Sequence, residues 1–395
     1  MKPLQGIRVL DLTRVLAGPF CTALMADLGA EVIKVEPPHG DDYRHIGPFV
    51  DGHSALFALT NRGKSSVVLD LKADEGKAVA RQLAATCDVV VENFRPGVAA
   101  KLGLGAETLR KDNPALIYCS ISGFGQDGPY SDLPAYDIVV QAMSGLMEAN
   151  GEEGGAPLKV GEALGDLMAG LYAAWGIAAA LVGRAQTGQG ASLDVAMFDA
   201  LFSLLPTSHA IHFYAKSAVE RVGNRHPLST PFGAYATSDG HAIIAVLGDR
   251  QFAALCGVIG APEAASDPRF ANDETRTQNE PTLKALIEAW SGQMTTAQAV
   301  EALRAAHIPT APILTLAEAA SSPHAIARGL VSDIPHHGLG TAPVIGQPVR
   351  FDGEKPVASS GAPALGGGSQ AVMASLGLSE EQISGLIAAG IVRTE

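Results

Sequence analysis

The chain has 395 residues, 47% of them hydrophobic and 17% charged, with a formal net charge of −13 at pH 7. That length exceeds one simple core and implies about two domains, and so apolar a chain is not disordered over most of its length. The acidic balance excludes non-specific nucleic-acid binding, which needs basic patches, but allows an anionic ligand held by a local cluster of cations or helix N-termini.

In chain order, Ile7–Leu12 reads as a buried strand, followed by a Gly18-Pro19 turn, a helix over Phe20–Leu28, Gly29, and a second strand Glu31–Val35. Strand, helix and strand within about thirty residues is a βαβ unit and implies a parallel sheet. The rhythm repeats with a strand at Ser66–Leu71, a helix at Ala73–Ala85 and a strand at Asp88–Glu92. A short helix after Gly97 and a strand at Leu116–Ile121 follow. The expected fold class is α/β, with a Rossmann-like open, doubly wound parallel sheet in a large domain. Gly103-Leu104-Gly105 lacks GxGxxG spacing and follows no strand, and no P-loop, HExxH or GxSxG motif occurs.

From about Ser217 the character changes. A Pro-containing connection over 223–232 leads to a hairpin over Gly233–Val246 turned at Ser238-Asp239-Gly240, then helices at 251–259, 282–293 and 296–306. The tail from Ile326 holds short strands, a Gly/Ser loop at Gly366–Ser369 and a last helix near Glu380–Ala388. The expected domains are residues 1–215 as the N-terminal part of the large domain, 225–320 as a smaller α+β domain, and 326–395 as a segment returning to complete the large one. The four cysteines, Cys21, Cys87, Cys119 and Cys256, stand apart in apolar settings without metal spacing, as buried free thiols of a reducing compartment do. No targeting signal is evident, and the apolar run Met168–Val182, shorter than the ~18–20 residues that span a bilayer, reads as a buried core helix. The expectation is a cytoplasmic protein with no membrane or nucleic-acid partner, no metal and no permanently bound cofactor.

Asp166, in Gly165-Asp166-Leu167-Met168-Ala169-Gly170, stands at the mouth of that uncharged run. A buried unpaired carboxylate is costly, so one that persists has fixed donors or a chemical task. A helix N-terminus offers free N–H groups and partial positive charge, which would keep Asp166 ionised as a nucleophile, a base or a helix cap.

Several stretches together resemble the class III coenzyme A transferases, the superfamily of carnitine, bile-acid and formyl-CoA transferases and 2-methylacyl-CoA racemases. They are Leu10–Pro19, Leu28–Glu36, Val91-Glu92-Asn93-Phe94-Arg95-Pro96-Gly97, Ser122-Gly123-Phe124-Gly125 and Gly165-Asp166. The resemblance covers essentially the whole chain. It implies a catalytic Asp166 that attacks an acyl-CoA thioester, and an interlocked homodimer. It also implies CoA contacts at Val15, Leu16, Leu71, Lys72, Asn93, Phe94, Lys101 and Tyr136, with coenzyme A entering as substrate. Racemases that resemble this chain carry Gly-His-Asp where it reads Ala135-Tyr136-Asp137. A phenol with a reference pKa near 10 is a poor proton acceptor at neutral pH beside imidazole near 6.5, which favours transferase over racemase. A CoA-binding protein without catalysis is a further alternative.

Three features depart from the pattern. Some relatives place an Arg on the adenine after Val35-Glu36, where Pro37 and Pro38 stand here. Oxalate-handling members have a Gln at Leu16 and a Trp near Ile46. Many relatives have a Glu-His pair after the Pro-x-Leu-Gly that reads Pro363–Gly366 here, where Gly367-Gly368-Ser369 follow. The closest resemblance is to the succinyl-CoA:dicarboxylate branch, of hydroxymethylglutarate and glutarate type, with glutarate, itaconate, citramalate, mesaconate and malate as possible acceptors. An unreacted second carboxylate needs a charged partner, and Arg14, Arg44, Arg225 and His226 are the loop candidates.

Overall fold

Apolar runs with β-branched residues make strands covered on both faces, and runs of this kind build the core of a seven-stranded sheet in the computed structural model, which describes Met1–Glu395. Its parallel strands are β1 (Arg8–Asp11), β2 (Glu31–Glu36), β3 (Lys64–Leu69), β4 (Val89–Glu92), β5 (Ile117–Ser122) and β6 (Ser192–Ala196). Their order across the sheet is 3-2-1-4-5-6, and a C-terminal strand, Val392–Arg393, pairs antiparallel with β3 at the outer edge. The winding reverses between β1 and β4, where open α/β sheets form a crevice at the strand C-termini.

The period of two sorts side chains to opposite faces. Leu10, Ile33, Val67 and Val90 face a layer that includes helix α2 (Asp74–Ala85) and the helices at Ser369–Ser375 and Glu380–Ala388. Val9, Val32, Val89 and Ile117 face α1 (Ala17–Asp27) and the long helix at Leu164–Thr187. All four cysteines are buried and free, Cys21 and Cys119 in the second layer and Cys87 in the first. Two strands escaped the sequence pattern. β6 is a short edge strand with exposed Ser192 and Asp194, and Val392–Arg393 is too short to show a period.

Helix α3 (Asp137–Met143) leads toward the long helix, here α4 (Leu164–Thr187). The expectation that Met168–Val182 is buried needs correction. α4 buries only the stripe Gly165, Ala169, Gly170, Ala173 and Ile177, while Leu171, Trp175 and Val182 are 47%, 68% and 62% exposed. By length and composition α4 could cross a membrane; its buried stripe instead packs on α1 and the sheet. The packing is close. A Cβ on Gly170 would lie 2.5 Å from the Ala17 carbonyl oxygen, so only glycine fits there.

The chain divides into two units: Met1–Leu146 with Lys159–Pro206 and Pro323–Glu395, and Met147–Leu158 with Thr207–Ser322. The second unit therefore begins before residue 225 and recruits the 147–158 segment, which sequence analysis placed in the large domain. Within it, strands Phe232–Ala236, His241–Ala245 and Thr310–Pro312 form an antiparallel sheet. The hairpin closes through the Thr237 N–H bonded to the Gly240 carbonyl at 2.9 Å. Tyr235, Ile244, Phe252, Leu255, Leu283 and Leu303 form this unit's core with the helices Asp249–Val258, Glu280–Ser291 and Thr296–Ala305.

Candidate active site

The loop after β1 faces the crevice, and side chains from neighbouring strands hold its backbone groups one by one. The Thr13 N–H donates to Asp11 Oδ1 at 2.9 Å, and the Thr13 carbonyl accepts from Lys34 Nζ at 2.7 Å. Asn93, just beyond β4, clamps Arg14 from both sides: its Oδ1 accepts the Arg14 N–H at 2.9 Å and its Nδ2 donates to the Arg14 carbonyl at 2.8 Å. The Val15 N–H donates to Asp41 Oδ1 at 3.0 Å. Val15 itself has φ of 68°, a left-handed conformation that costs a β-branched residue of order 1–3 kcal/mol and persists only where the surroundings over-determine it.

Beneath the loop lies a buried network of three carboxylates and three cations. Lys34 meets Asp41 at 2.8 Å, Lys64 meets Asp11 at 2.9 Å, and Arg44 holds Glu36 through two bonds of 2.7 Å. Burial opposes charge on Asp11, but Lys64, Lys34 and the Thr13 and Thr22 hydroxyls outweigh it and bring its carboxyl well below the ordinary carboxylate range. Burial likewise opposes charge on Lys34, and Asp11, Asp41 and Glu36 overcome it, leaving the ammonium more firmly protonated than usual. A fully paired network of this kind is costly to break from one side.

Asp166 sits in the first turn of α4, partly buried. It is not the helix cap, since Ala163 occupies the capping position and makes no side-chain bond. The cap-like acceptor is Asp137 at the start of α3, whose Oδ1 accepts the Gly165 N–H at 2.7 Å. Gln141, fully buried, donates to Asp137 Oδ2 at 2.7 Å and to the Glu162 carbonyl at 3.1 Å, and accepts the Val160 N–H at 2.9 Å. The turn that carries Asp166 is thereby tied to α3. Burial, then the like charge of Asp137, push the Asp166 carboxyl up to about 7, against a backbone hydrogen bond at Ala17 that favours the anion. The expectation that the helix N-terminus keeps Asp166 ionised is thus corrected: desolvation and a second carboxylate prevail over the helix end.

A cavity of about 220 Å³ opens on Asp166 and is lined by Arg14, Val15, Asn93, Phe94 and Tyr136 from the sequence-derived set. Arg95, Ser122 and Ala17 also line it, and no histidine does. A larger cavity of about 770 Å³, mostly apolar, shares Arg14, Asp42 and Phe94 with the first and extends to Leu71, Lys72, Pro37 and Pro38. Leu16 and Lys101 line neither. Arg44 is engaged: besides Glu36 it donates to the Pro363 carbonyl at 3.2 Å and its guanidinium lies 3.7 Å from the Phe57 ring centre. It is no free cation for a substrate carboxylate. Arg225 and His226 belong to the second unit, where Arg225 lies 3.6 Å from Glu153 and the His226 ring packs on Phe232. Sequence reading missed Arg95 and Asp137. The first lies inside the quoted Asn-Phe-Arg-Pro-Gly stretch, and the second directly follows Tyr136.

An isosteric change at Asp137 tests the electrostatics. Asp137→Asn keeps an oxygen to accept the Gly165 N–H and removes the like charge, with loss of the bond that Gln141 donates to Oδ2. We expect the acid limb of any Asp166-dependent activity to fall from about 7 toward lower pH, with catalysis at pH 8 little changed. An unmoved limb in the kcat/KM profile would show that the two carboxylates are not coupled.

Residues 4–369 match the family described as CoA-transferase family III. An acetyl-CoA:oxalate CoA-transferase of Acetobacter aceti is 44% identical, the match covering 92% of this chain and 93% of the relative. A succinyl-CoA:glutarate CoA-transferase of Mus musculus is 38% identical over 99% of this chain and 91% of the relative. The crystal structure of a CAIB/BAIF family protein from Brucella suis superposes with a TM-score of 0.83 at 39% identity, covering 95% of this chain and 99% of that one.

Proposed function

Since this chain belongs to CoA-transferase family III, we propose that the cavity at Asp166 carries out transfer of coenzyme A from succinyl-CoA to the free carboxylate of a dicarboxylic acid. The observation that carries this reading is the pair of adjoining cavities. A small one of mixed polarity opens on a desolvated carboxylate, and it shares Arg14, Asp42 and Phe94 with an apolar one large enough for a nucleotide.

Asp166, as carboxylate, attacks the thioester carbonyl of the acyl-CoA. The carbon–sulfur bond breaks, leaving an aspartyl–acyl anhydride and CoA thiolate. The thiolate attacks the aspartyl carbonyl, giving an aspartyl-CoA thioester and releasing the donor acid. The acceptor carboxylate displaces thiolate to form a second anhydride, and thiolate attack on the acceptor's acyl carbon yields the new acyl-CoA and returns Asp166. Atoms and charge balance with no redox or metal step.

Partial desolvation supports the nucleophile role, because a carboxylate stripped of water attacks more readily. Arg14, paired only loosely with Asp42 at 3.6 Å, and exposed Arg95 are the cations lining the small cavity that could hold the acceptor's unreacted carboxylate. Oxalate belongs in the acceptor set to be tested because one relative is named for it, although the Gln and Trp of oxalate-handling members are absent here. The absence of a histidine beside Asp166 disfavours the racemase alternative, which needs a second acid/base partner.

The exposed apolar face of α4 supports a homodimer, since a monomer gains nothing by presenting Leu171, Trp175 and Val182 to water. Light scattering that returns a mass near 40.7 kDa instead of twice that would count against it. The buried free thiols suit a cytoplasmic setting.

The deciding experiment mixes the purified protein with succinyl-CoA and a panel of mono- and dicarboxylic acids and follows acyl-CoA products by mass spectrometry. A new acyl-CoA well above background supports the reading and names the acceptor. No product with succinyl-CoA or a second donor, together with deuterium exchange at the α-carbon of an acyl-CoA, would favour the racemase.

A further inference from the structure

One cation at the large cavity comes from a part of the chain far removed from the parallel strands. Arg393 belongs to the C-terminal edge strand, and its side chain lines the cavity with Pro37, Pro38 and Lys72. Neighbouring Val392 is 2% exposed and locks the strand into the core, while Arg393 points the other way and is exposed. Its Nη1 lies 3.5 Å from the Pro38 carbonyl oxygen, a marginal contact, and no carboxylate pairs with the guanidinium.

The backbone of Arg393 is held with unusual care for so short a strand. Ser369, fully buried, donates its hydroxyl to the Arg393 carbonyl at 2.7 Å. Gly366 has φ of 77°, and a Cβ there would come 2.5 Å from the same carbonyl oxygen. The Gly366 N–H in turn donates to Ser66 Oγ at 2.9 Å, and the Gly368 N–H to the Ser66 carbonyl at 2.8 Å. The Gly/Ser loop therefore works as a clip that fixes the edge strand to β3, and with it the position of Arg393.

Resting on the CoA reading above, we propose that Arg393 is a binding residue for the 3′-phosphate of the CoA nucleotide. Arg14 lines both cavities and so sits at their junction, where the pantetheine arm must pass on its way to Asp166. Arg393 and Lys72 line only the large cavity, the end that receives the nucleotide. The apolar walls at Pro37 and Pro38 suit the adenine face, and a guanidinium beside them presents the planar fork that pairs with phosphate oxygens. A 3′-phosphate is present in CoA and absent from 3′-dephospho-CoA, so the two ligands read this contact directly.

The test compares binding of CoA and 3′-dephospho-CoA to the full chain by calorimetry, alongside transfer kinetics with succinyl-CoA. Arg393→Ala should weaken CoA binding about tenfold, the scale of one charged hydrogen bond, and raise KM for succinyl-CoA by a like factor with kcat unchanged. Binding of dephospho-CoA should be the same in both proteins, and Arg393→Lys should recover part of the loss. An equal loss for both ligands would overturn the 3′ assignment, and no loss for either would overturn the residue's role altogether. If the unaltered protein binds no CoA, it is the CoA reading that fails. Because Arg393 is exposed, an unchanged Tm is expected, and a fallen Tm with equal loss for both ligands also counts against the proposal.

Discussion

Asp166→Asn is expected to abolish transfer, by about 10⁴-fold or more in kcat, while raising thermal stability at pH 8. The first effect follows from chemistry: an amide cannot form the anhydride or the aspartyl thioester, and the one other carboxylate lining the cavity, Asp42, is paired with Arg14 at 3.6 Å. The second follows from linkage. Folding raises the Asp166 carboxyl from its ordinary 3.8 to about 7, so across that interval the folded protein binds more protons than the unfolded chain. Its stability therefore falls as pH rises through the window, and the cost is complete above pH 7. The amide carries no such cost, so we expect Tm at pH 8 to rise by about 2 °C and the difference to vanish below pH 4. Calorimetric melts at pH 4 and pH 8, with single-turnover assays, check both halves. A variant that still turns over would remove Asp166 from the chemistry, and equal Tm differences at both pH values would remove the desolvation account.

The largest stability effect should come from Lys34→Met. The network under the site balances Asp11, Glu36 and Asp41 against Lys34, Lys64 and Arg44. Removing one cation leaves a buried negative charge, for which a loss of roughly 3–5 kcal/mol is expected. It also frees the Thr13 carbonyl and loosens Asp41, the acceptor that holds Val15 in its left-handed conformation, so activity should fall with stability. Adding Asp41→Asn restores electrical balance and keeps an oxygen for the Val15 and Tyr43 amides. The double variant should recover part of the loss in urea denaturation. If it is no more stable than Lys34→Met alone, the ion pair is not the source of the effect.

These two sites differ in how openly the sequence announces them. Asp166 stands out because it is the one carboxylate beside an uncharged run, and β1, β2, β4 and β5 stand out as short β-branched runs between turns. Lys34 and Glu36 lie in plain view two residues apart in β2, yet a local reading cannot tell a solvated strand face from a buried one. Their burial is decided by Asp41, from the loop that follows, and by Lys64 and Ser66 on neighbouring β3. Asp137 escaped for a similar reason: its bond to Gly165 spans 28 positions. Arg44 looked like a loop cation and is in fact a strut for Glu36. Such roles are set by tertiary partners, and periodicity carries no information about them.

The edge of the sheet at β3 has a kinetic meaning as well. Val68 donates to Ser369 across 301 positions, and the strand that caps β3 comes later still. Contacts so distant in sequence close late, because the intervening loop must first be ordered. Until then β3 presents an unpaired row of amides and carbonyls to any other chain that can supply a strand. The hazard of misassembly and the completion of the nucleotide cavity thus fall on one folding event. A ligand that binds the finished cavity should draw the chain through that event and shorten the time it spends exposed.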